Sequence, residues 1–400
     1  MTLARIVAKS LRQHALSTAV TALGIALATG LLMAVWAVKT QASQTFTGVS
    51  GGFDAVLGAR SAKLQIVLNA IFHLEESPGN LAWRDFEEIQ RNPAVALALP
   101  IAVGDNYRGY RLVGTTTNLF TEAEPQPGRK FALASGRAFQ AGFAEAVVGS
   151  FTAQRLGLKV GDKFHPFHGL IFDEKQQHAE TYVVTGILEP SNTPADRVIW
   201  IPLEGLQNMK GHAAQTASEI SAVLVRLRAP MAGKQLDTLY NKQGNRLTFA
   251  WPIAQTIAQL FDKIAWFDRV LALVAWLVAL VACASILASL YNSMNERRRE
   301  IAILRALGAH RSTIFGAVVL ESAAIAAVGA GAGFLVYGAI ATGAALVIRA
   351  QVGVVLEPWA WNPVFLWAPA GIIACGAAAG IVPAVKAYRT DVAEHLVPHS

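Results

Sequence analysis

Charge is scarce in this chain. Only 15% of its 400 residues are Asp, Glu, Lys or Arg, where soluble domains carry about 25%. The shortage is local, concentrated in long uncharged runs, so it points to membrane segments rather than to an unusually apolar core. Cysteine is scarcer still. Cys283 and Cys375 both fall inside apolar runs, which leaves no disulfide framework and no zinc-type cysteine pair. They read as small packing residues. There is no G-x-x-x-x-G-K-[ST] loop, so nothing in the chain can cradle nucleotide phosphates. No Ser-His-Asp, Cys-His or paired-carboxylate spacing suggests catalysis.

Basic residues outnumber acidic ones, giving a net charge of +7. Their positions argue against nucleic acid, because many flank apolar runs, where they meet lipid head groups and set orientation. Ala15 to Val38 has no charge and, at about 24 residues, is long enough to cross the hydrocarbon layer. A signal peptide is the rival reading; its apolar region would be shorter and the cleavage site here is poor. Further spans run from Val270 to Leu290, from Thr313 to at least Leu335, and from Val364 to Val385. Trp266, Tyr291, Trp359, Trp361 and Trp367 stand near span ends, as interfacial aromatics do.

The expected fold is an α-helical membrane protein with four transmembrane helices and an α+β extracytoplasmic domain inserted between helices 1 and 2. Arg5, Lys9 and Arg12, then Arg297, Arg298, Arg299, Arg305 and Arg311, then Lys386 and Arg389 all fall on one face, which must be cytoplasmic. Both termini are then cytoplasmic. The expected divisions are an interfacial amphipathic helix at 1–14, spans at 15–39, 264–292, 313–348 and 364–386, and an outer domain at 40–263. A cytoplasmic coupling helix occupies 293–312, an outer loop 349–363 and a tail 387–400. Leu3, Ile6, Val7 and Leu11 recur at helical spacing, which suits a helix lying in the interface; a simple basic flank is the alternative.

In the outer domain, Asn80 is placed to cap a helix through Glu88, with Trp83, Phe86 and Ile89 on one face. Ala144 to Val148, Thr181 to Leu188 and Val198 to Ile201 read as strands, and Ser191 to Asp196 as a turn. Ser150 to Leu156 and Met231 to Asn241 read as helices. From Pro252 an outer stalk begins, with Ile253, Ile257, Leu260 and Ile264 on one stripe, and runs unbroken into the second span.

Asn295 to Ala309 (NERRREIAILRALGA) reads as a short amphipathic helix with Ile301, Leu304 and Gly308 on one face and Ile303 and Leu307 beside them. Its apolar residues suit a partner's groove and its charges ring the contact; a topogenic basic loop is the plainer alternative. Gly308 can end the helix in a left-handed conformation, and Ser312 or Thr313 can cap the next.

This stretch resembles the cytoplasmic motif of FtsX-like permeases, the group with macrolide exporters, lipoprotein-release permeases and the cell-division permease. Glu296, Arg297, Glu300, Ile301, Ala302, Ile303, Arg305, Ala306, Leu307, Gly308 and Ala309 carry the likeness. The tail from Val382 to Asp391 with Leu396 resembles the family's ending, with Val392 where proline is usual. The glycine-rich start and Gly186 to Pro190 resemble the MacB-type periplasmic core domain more loosely. The resemblance implies an ABC transporter permease in a cell inner membrane, working as a homo- or heterodimer. It also implies an ABC ATPase subunit that binds ATP and Mg, with Glu296 to Ala309 as the coupling helix and no cofactor in this chain. Motion of the bundle would pass to the outer domain, exporting or extracting a hydrophobic or envelope-associated substrate. Alternatives are a scaffold that activates a periplasmic hydrolase, and a metal- or peptide-sensing complex.

Glu321 lies inside the third span, either as a polar latch against a neighbouring helix or as an ordinary hydrogen-bonded residue. Gly329-x-x-x-Gly333 and Gly376-x-x-x-Gly380 permit close helix approach, within a subunit or between subunits. His165, His168, His178 and His73 are candidate metal ligands outside the membrane, though His at i and i+3 around a proline is a weak zinc pattern. Ordinary surface or core histidines are the competing reading.

Overall fold

The computed structural model describes residues 3–126, 128–209, 219–296, 303, 305 and 308–389. The chain divides into two compact units. One comprises Met1–Gln41, Ile264–Leu346 and Glu357–Ser400; the other comprises Ala42–Lys263 and Val347–Leu356.

Among the described residues, four helices are long and apolar enough to cross a membrane: Ala15–Gly48, Ile253–Asn292, Arg311–Val352 and Val364–Lys386. The chain before them forms a separate helix, Leu3–Gln13. Its Val7 and Ser10 are buried while Arg5, Lys9 and Arg12 are exposed. Leu11 packs with Ile286, Leu290 and Ile325 of the span helices. The fourth span is two pieces, Val364–Ala379 and Ile381–Arg389. The third span helix continues to Val352, several residues into the stretch expected as loop.

In the second unit, thirteen strands occur among the described residues: β1 (Ala55–Ala59), β2 (Leu81–Ala82), β3 (Val95–Tyr107), β4 (Tyr110–Thr115), β5 (Leu133–Gly136), β6 (Glu145–Val148), β7 (Lys163–Phe164), β8 (Phe167–His168), β9 (Tyr182–Leu188), β10 (Ile199–Pro202), β11 (Glu219–Ile220), β12 (Ala222–Leu227) and β13 (Leu247–Ala250). The main sheet runs β13-β1-β12-β3-β4-β10-β6-β9-β5, with β7 on β9 and β8 on β3. It is mixed: β10 is parallel to β4 and β6 to β9.

Successive strand residues point to opposite faces, and here both faces are covered. Val56, Val147, Trp200 and Leu224 enter one core. Their neighbours Ala55, Leu57, Ala146, Val148, Ile199, Ile201, Val223 and Val225 enter the other. This explains why these strands are continuously apolar rather than alternating. The first core also takes Val354, with Ile348 and Val352 against it. The returning segment is thus part of the outer fold, which the loop reading of 349–363 did not anticipate. Arg197 donates to the Gln351 carbonyl, and Gly353 turns the chain at φ +81° beside Arg197, a backbone shape that favours glycine.

Two local expectations change. The helix Trp83–Gln90 starts after Ala82, whose N–H donates to the Asp85 carboxylate at 3.1 Å. Asn80 does not cap it; its amide donates to Glu219 at 2.8 Å. Asp85 is better placed because it also takes the Arg246 guanidinium on both oxygens. In the stalk, Ile253 and Ile257 are buried and Phe261 packs with them, whereas Ile264 is exposed. At 3.6 residues per turn, 253 and 264 stand within about 20° of one line, so the change comes not from drift of the stripe but from the end of the outer unit at Lys263.

Candidate functional site

The coupling segment is described in part. The stalk helix is described from Ile253 to Glu296. Ile303 and Arg305 are helical, Ile303 exposed and Arg305 half-buried. Gly308 has φ +97°, and its N–H donates to the Arg305 carbonyl at 3.0 Å, the left-handed stop expected of glycine. Arg297, Glu300, Ile301, Leu304 and Leu307 lie outside the described residues, as do Ala302 and Ala306. The next helix begins at Arg311. Ser312 and Thr313 therefore stand inside its first turn rather than capping it; their backbone N–H groups already lie among the helix's own, and the Thr313 N–H bonds to the His310 carbonyl at 3.0 Å.

Side chains around this segment join helices in a way the sequence did not reveal. The Lys386 ammonium lies 3.6 Å from the centre of the Tyr291 ring, and the Arg311 guanidinium sits 5.7 Å from that of Tyr388. These cation–π contacts tie the ends of the second, third and fourth spans. Ser17 and Ser289 share a 2.7 Å hydrogen bond. Buried Glu321 accepts a hydrogen bond from Ser10 of the first short helix, which satisfies a carboxylate that would be costly in lipid.

Both glycine pairs face neighbouring helices of the same chain. A Cβ on Gly329 would come within 2.6 Å of Ile25 Cβ, and one on Gly333 within 2.8 Å of Thr29 Cβ. A Cβ on Gly376 would meet Ala326 Cβ at 2.5 Å, and one on Gly380 the Ser322 hydroxyl. At Gly329 and Gly333 the neighbouring backbone is itself close, at Ala22 O and Gly30 N, whereas at Gly376 and Gly380 the space is filled by the Ala326 and Ser322 side chains.

The histidines separate. His73 lies edge-on to Trp200, ring centres 5.7 Å apart. Its Nδ1 is shut off from solvent without a hydrogen-bond partner. Desolvation first, and the positive field of Arg111 second, lower its pKa to about 3, so the ring is neutral. The His165 Nδ1 faces the Glu180 carbonyl at 3.1 Å. His168 and His178, by contrast, converge on Asp105, a residue the sequence did not single out. His168 Nδ1 and His178 Nε2 each lie 3.4 Å from Asp105 Oδ1. Burial, with the negative fields of Glu180 and Asp105, raises the pKa of the adjacent Tyr182 phenol. The signal that could have found Asp105 is a lone acid following an apolar strand run, Val95 to Val103.

This layout, four apolar helices plus a mixed α/β domain after the first, defines a class. A family model for the MacB-like periplasmic core domain matches residues 15–238, and one for the FtsX-like permease C-terminal region matches 272–392. The chain belongs to the FtsX/MacB-type permease family of ABC transporters. Among curated proteins, the macrolide export ATP-binding/permease protein MacB of Nitrobacter winogradskyi is 25% identical over 222 residues. That alignment takes in 54% of this chain and 33% of the relative, so the chain spans about a third of it. Among solved structures, the periplasmic region of MacB from Actinobacillus actinomycetemcomitans is similar at 13% identity and TM-score 0.36, over 54% of this chain and 94% of that one. The extracellular domain of the noncanonic ABC-type transporter YknZ from Gram-positive bacteria is similar at 15% identity and TM-score 0.31, over 49% and 98%.

Proposed function

We propose that this permease couples ATP hydrolysis on a separate ABC ATPase to motion of its outer domain. The observation that carries the reading is the Glu296 to Ala309 motif, set between two span helices and closed by the left-handed turn at Gly308. Glu296, Arg297, Glu300, Ile301, Ile303, Leu304, Arg305, Leu307 and Gly308 form the ATPase contact in this reading. ATP and Mg belong to the ATPase partner in this reading. Two permeases, identical or not, complete the assembly in the inner membrane, with both termini cytoplasmic and the large domain periplasmic. The stalk helix Ile253–Glu296 is continuous and suits transmission of force. A hydrophobic or envelope-associated substrate fits a machine that moves an outer domain, and the relative's name, macrolide export, lies in the same class.

The test is co-purification with the ATPase. Leu304→Asp should abolish association while leaving membrane insertion normal, because a charge placed in an apolar contact is costly to desolvate. Retained complex formation overturns the coupling assignment. Substrate-stimulated ATP hydrolysis in reconstituted complex separates transport from scaffolding, in which a periplasmic hydrolase is captured and no stimulation occurs.

A further inference from the structure

The second unit carries a cluster that coupling to an ATPase does not require. Asp105 follows a register shift in β3 between Val103 and Asp105, which re-aims the strand as bulges do. It pairs directly with His168 of β8. Its neighbour Asn106 fixes both sides of this arrangement. The Asn106 amide donates to the Gly169 carbonyl at 2.9 Å, and its carbonyl accepts from the Gly109 N–H at 3.0 Å. Arg108 and Gly109 make the tight hairpin to β4, both at positive φ. His178 is tied to the same segment, its N–H donating to the Pro166 carbonyl at 2.8 Å, and a bridge joins Gln177 to Phe167. Three residues far apart in sequence are thus held by backbone, not by flexible loops alone.

The three donors are close enough together to share an ion. The Asp105 side chain is fully buried and that of His178 nearly so at 6%, while that of His168 is 49% exposed. The donor atoms all lie within 4.8 Å of one another, and the two imidazoles meet at 74°. Both imidazole–carboxylate separations are 3.4 Å. The His178 Nε2–Asp105 contact also lies at the outer limit of a hydrogen bond, longer than the charge-assisted kind at about 2.7–2.9 Å. Two ligands sharing one tetrahedral ion at bonds of about 2.0–2.1 Å stand roughly 3.3–3.4 Å apart. Two nitrogens and one oxygen suit Zn²⁺ and its d-block neighbours; Mg²⁺ and Ca²⁺ take oxygen ligands.

We propose that Asp105, His168 and His178 bind a divalent d-block cation, Zn²⁺ foremost, reached from solvent through the half-exposed His168. Three protein ligands fall one short of the closed four-ligand set of structural zinc sites. The outer domain is thereby a receptor for a metal ion, independent of whether the ATPase contact lies where assigned above.

The experiment uses full-length permease in detergent, purified without a polyhistidine tag and stripped with chelator. Zn²⁺ is titrated calorimetrically and against a chromophoric chelator. The expected result is one tight Zn²⁺ per chain, not displaced by excess Mg²⁺, and a rise in Tm with Zn²⁺ by mass action. His168→Ala and Asp105→Asn should each weaken binding at least tenfold; His165→Ala should not. Co²⁺ should give visible d–d bands that His168→Ala removes. His168 is half-exposed, so its variant folds even if changes at buried Asp105 do not. Absence of Zn²⁺ binding by the wild type, or equal binding by His168→Ala, overturns the proposal.

Discussion

The two units solve the same problem, burying a helix or sheet face, with opposite means. The outer unit wraps apolar side chains around both faces of a sheet, and residues such as Leu57, Val225 and Phe249 have no exposure. In the membrane unit the most apolar stretch of the second span helix is only 22% buried, and Leu273, Leu277, Leu280 and Val281 stay exposed. Lipid tails are as apolar as leucine, so burying these groups gains little; close backbone contact and a few polar links hold the helices instead. The outer unit therefore rests on large side chains on both sheet faces, while the membrane unit adds glycine contacts to a smaller seam that includes Ile25, Leu32, Ile286 and Tyr337.

The sharpest way to break this comparison is to enlarge a glycine. Gly333→Leu places a branched chain against Thr29 and the Gly30 backbone, which cannot yield as a flexible side chain can. It should prevent recovery of monodisperse permease, a cost above about 3 kcal/mol by analogy with severe overpacking. Normal yield and Tm would show that the helices are less tightly joined than the geometry indicates.

Next come two truncations of matched kind. Phe249→Ala in the outer core should cost about 3–5 kcal/mol, read as a large fall in the Tm of the outer domain. Leu277→Ala, 53% exposed in the second span, should leave Tm within a degree or two. Equal effects would erase the distinction drawn here.

His73 sharpens the comparison by pH. Its folded pKa is depressed to about 3 from 6.5. The unfolded chain therefore takes up the proton first, and stability is full above pH 6.5 and declines as pH falls toward 3. The residue keeps part of its surface in water, so the loss is on the order of 2–3 kcal/mol rather than the full value of the shift. His73→Asn tolerates the positive φ of this position (φ 54) and should flatten that decline in acid-titrated denaturation curves. A smaller loss than that of Phe249→Ala is expected of Lys386→Ala, which removes the cation–π contact with Tyr291 and should cost about 1 kcal/mol, with Lys386→Arg largely restoring Tm.

Composition made the spans legible, because a bilayer demands long uncharged runs wherever a helix crosses. Strands at Glu145–Val148 and Tyr182–Leu188 were legible from β-branched content. What the sequence concealed was long-range pairing. His165 and His168 looked like a pair because they are near in the chain, yet strand geometry turns His165 toward the Glu180 carbonyl and brings His168 to Asp105 instead. Asn80 looked like a cap because its side chain suits one, yet Asp85, already inside the helix, does that work from N3 while gripping Arg246. The lysine and tyrosine that link span ends were read only as interface markers, since a cation–π contact between residues 291 and 386 leaves no local pattern.

The outer core receives its final piece late. Val354, fully enclosed among residues such as Val198, Trp200 and Leu224, leaves the ribosome only after the second and third spans have been made. Until then the domain has a hole where that side chain belongs, so its maturation waits on translation and insertion of the helices that follow it.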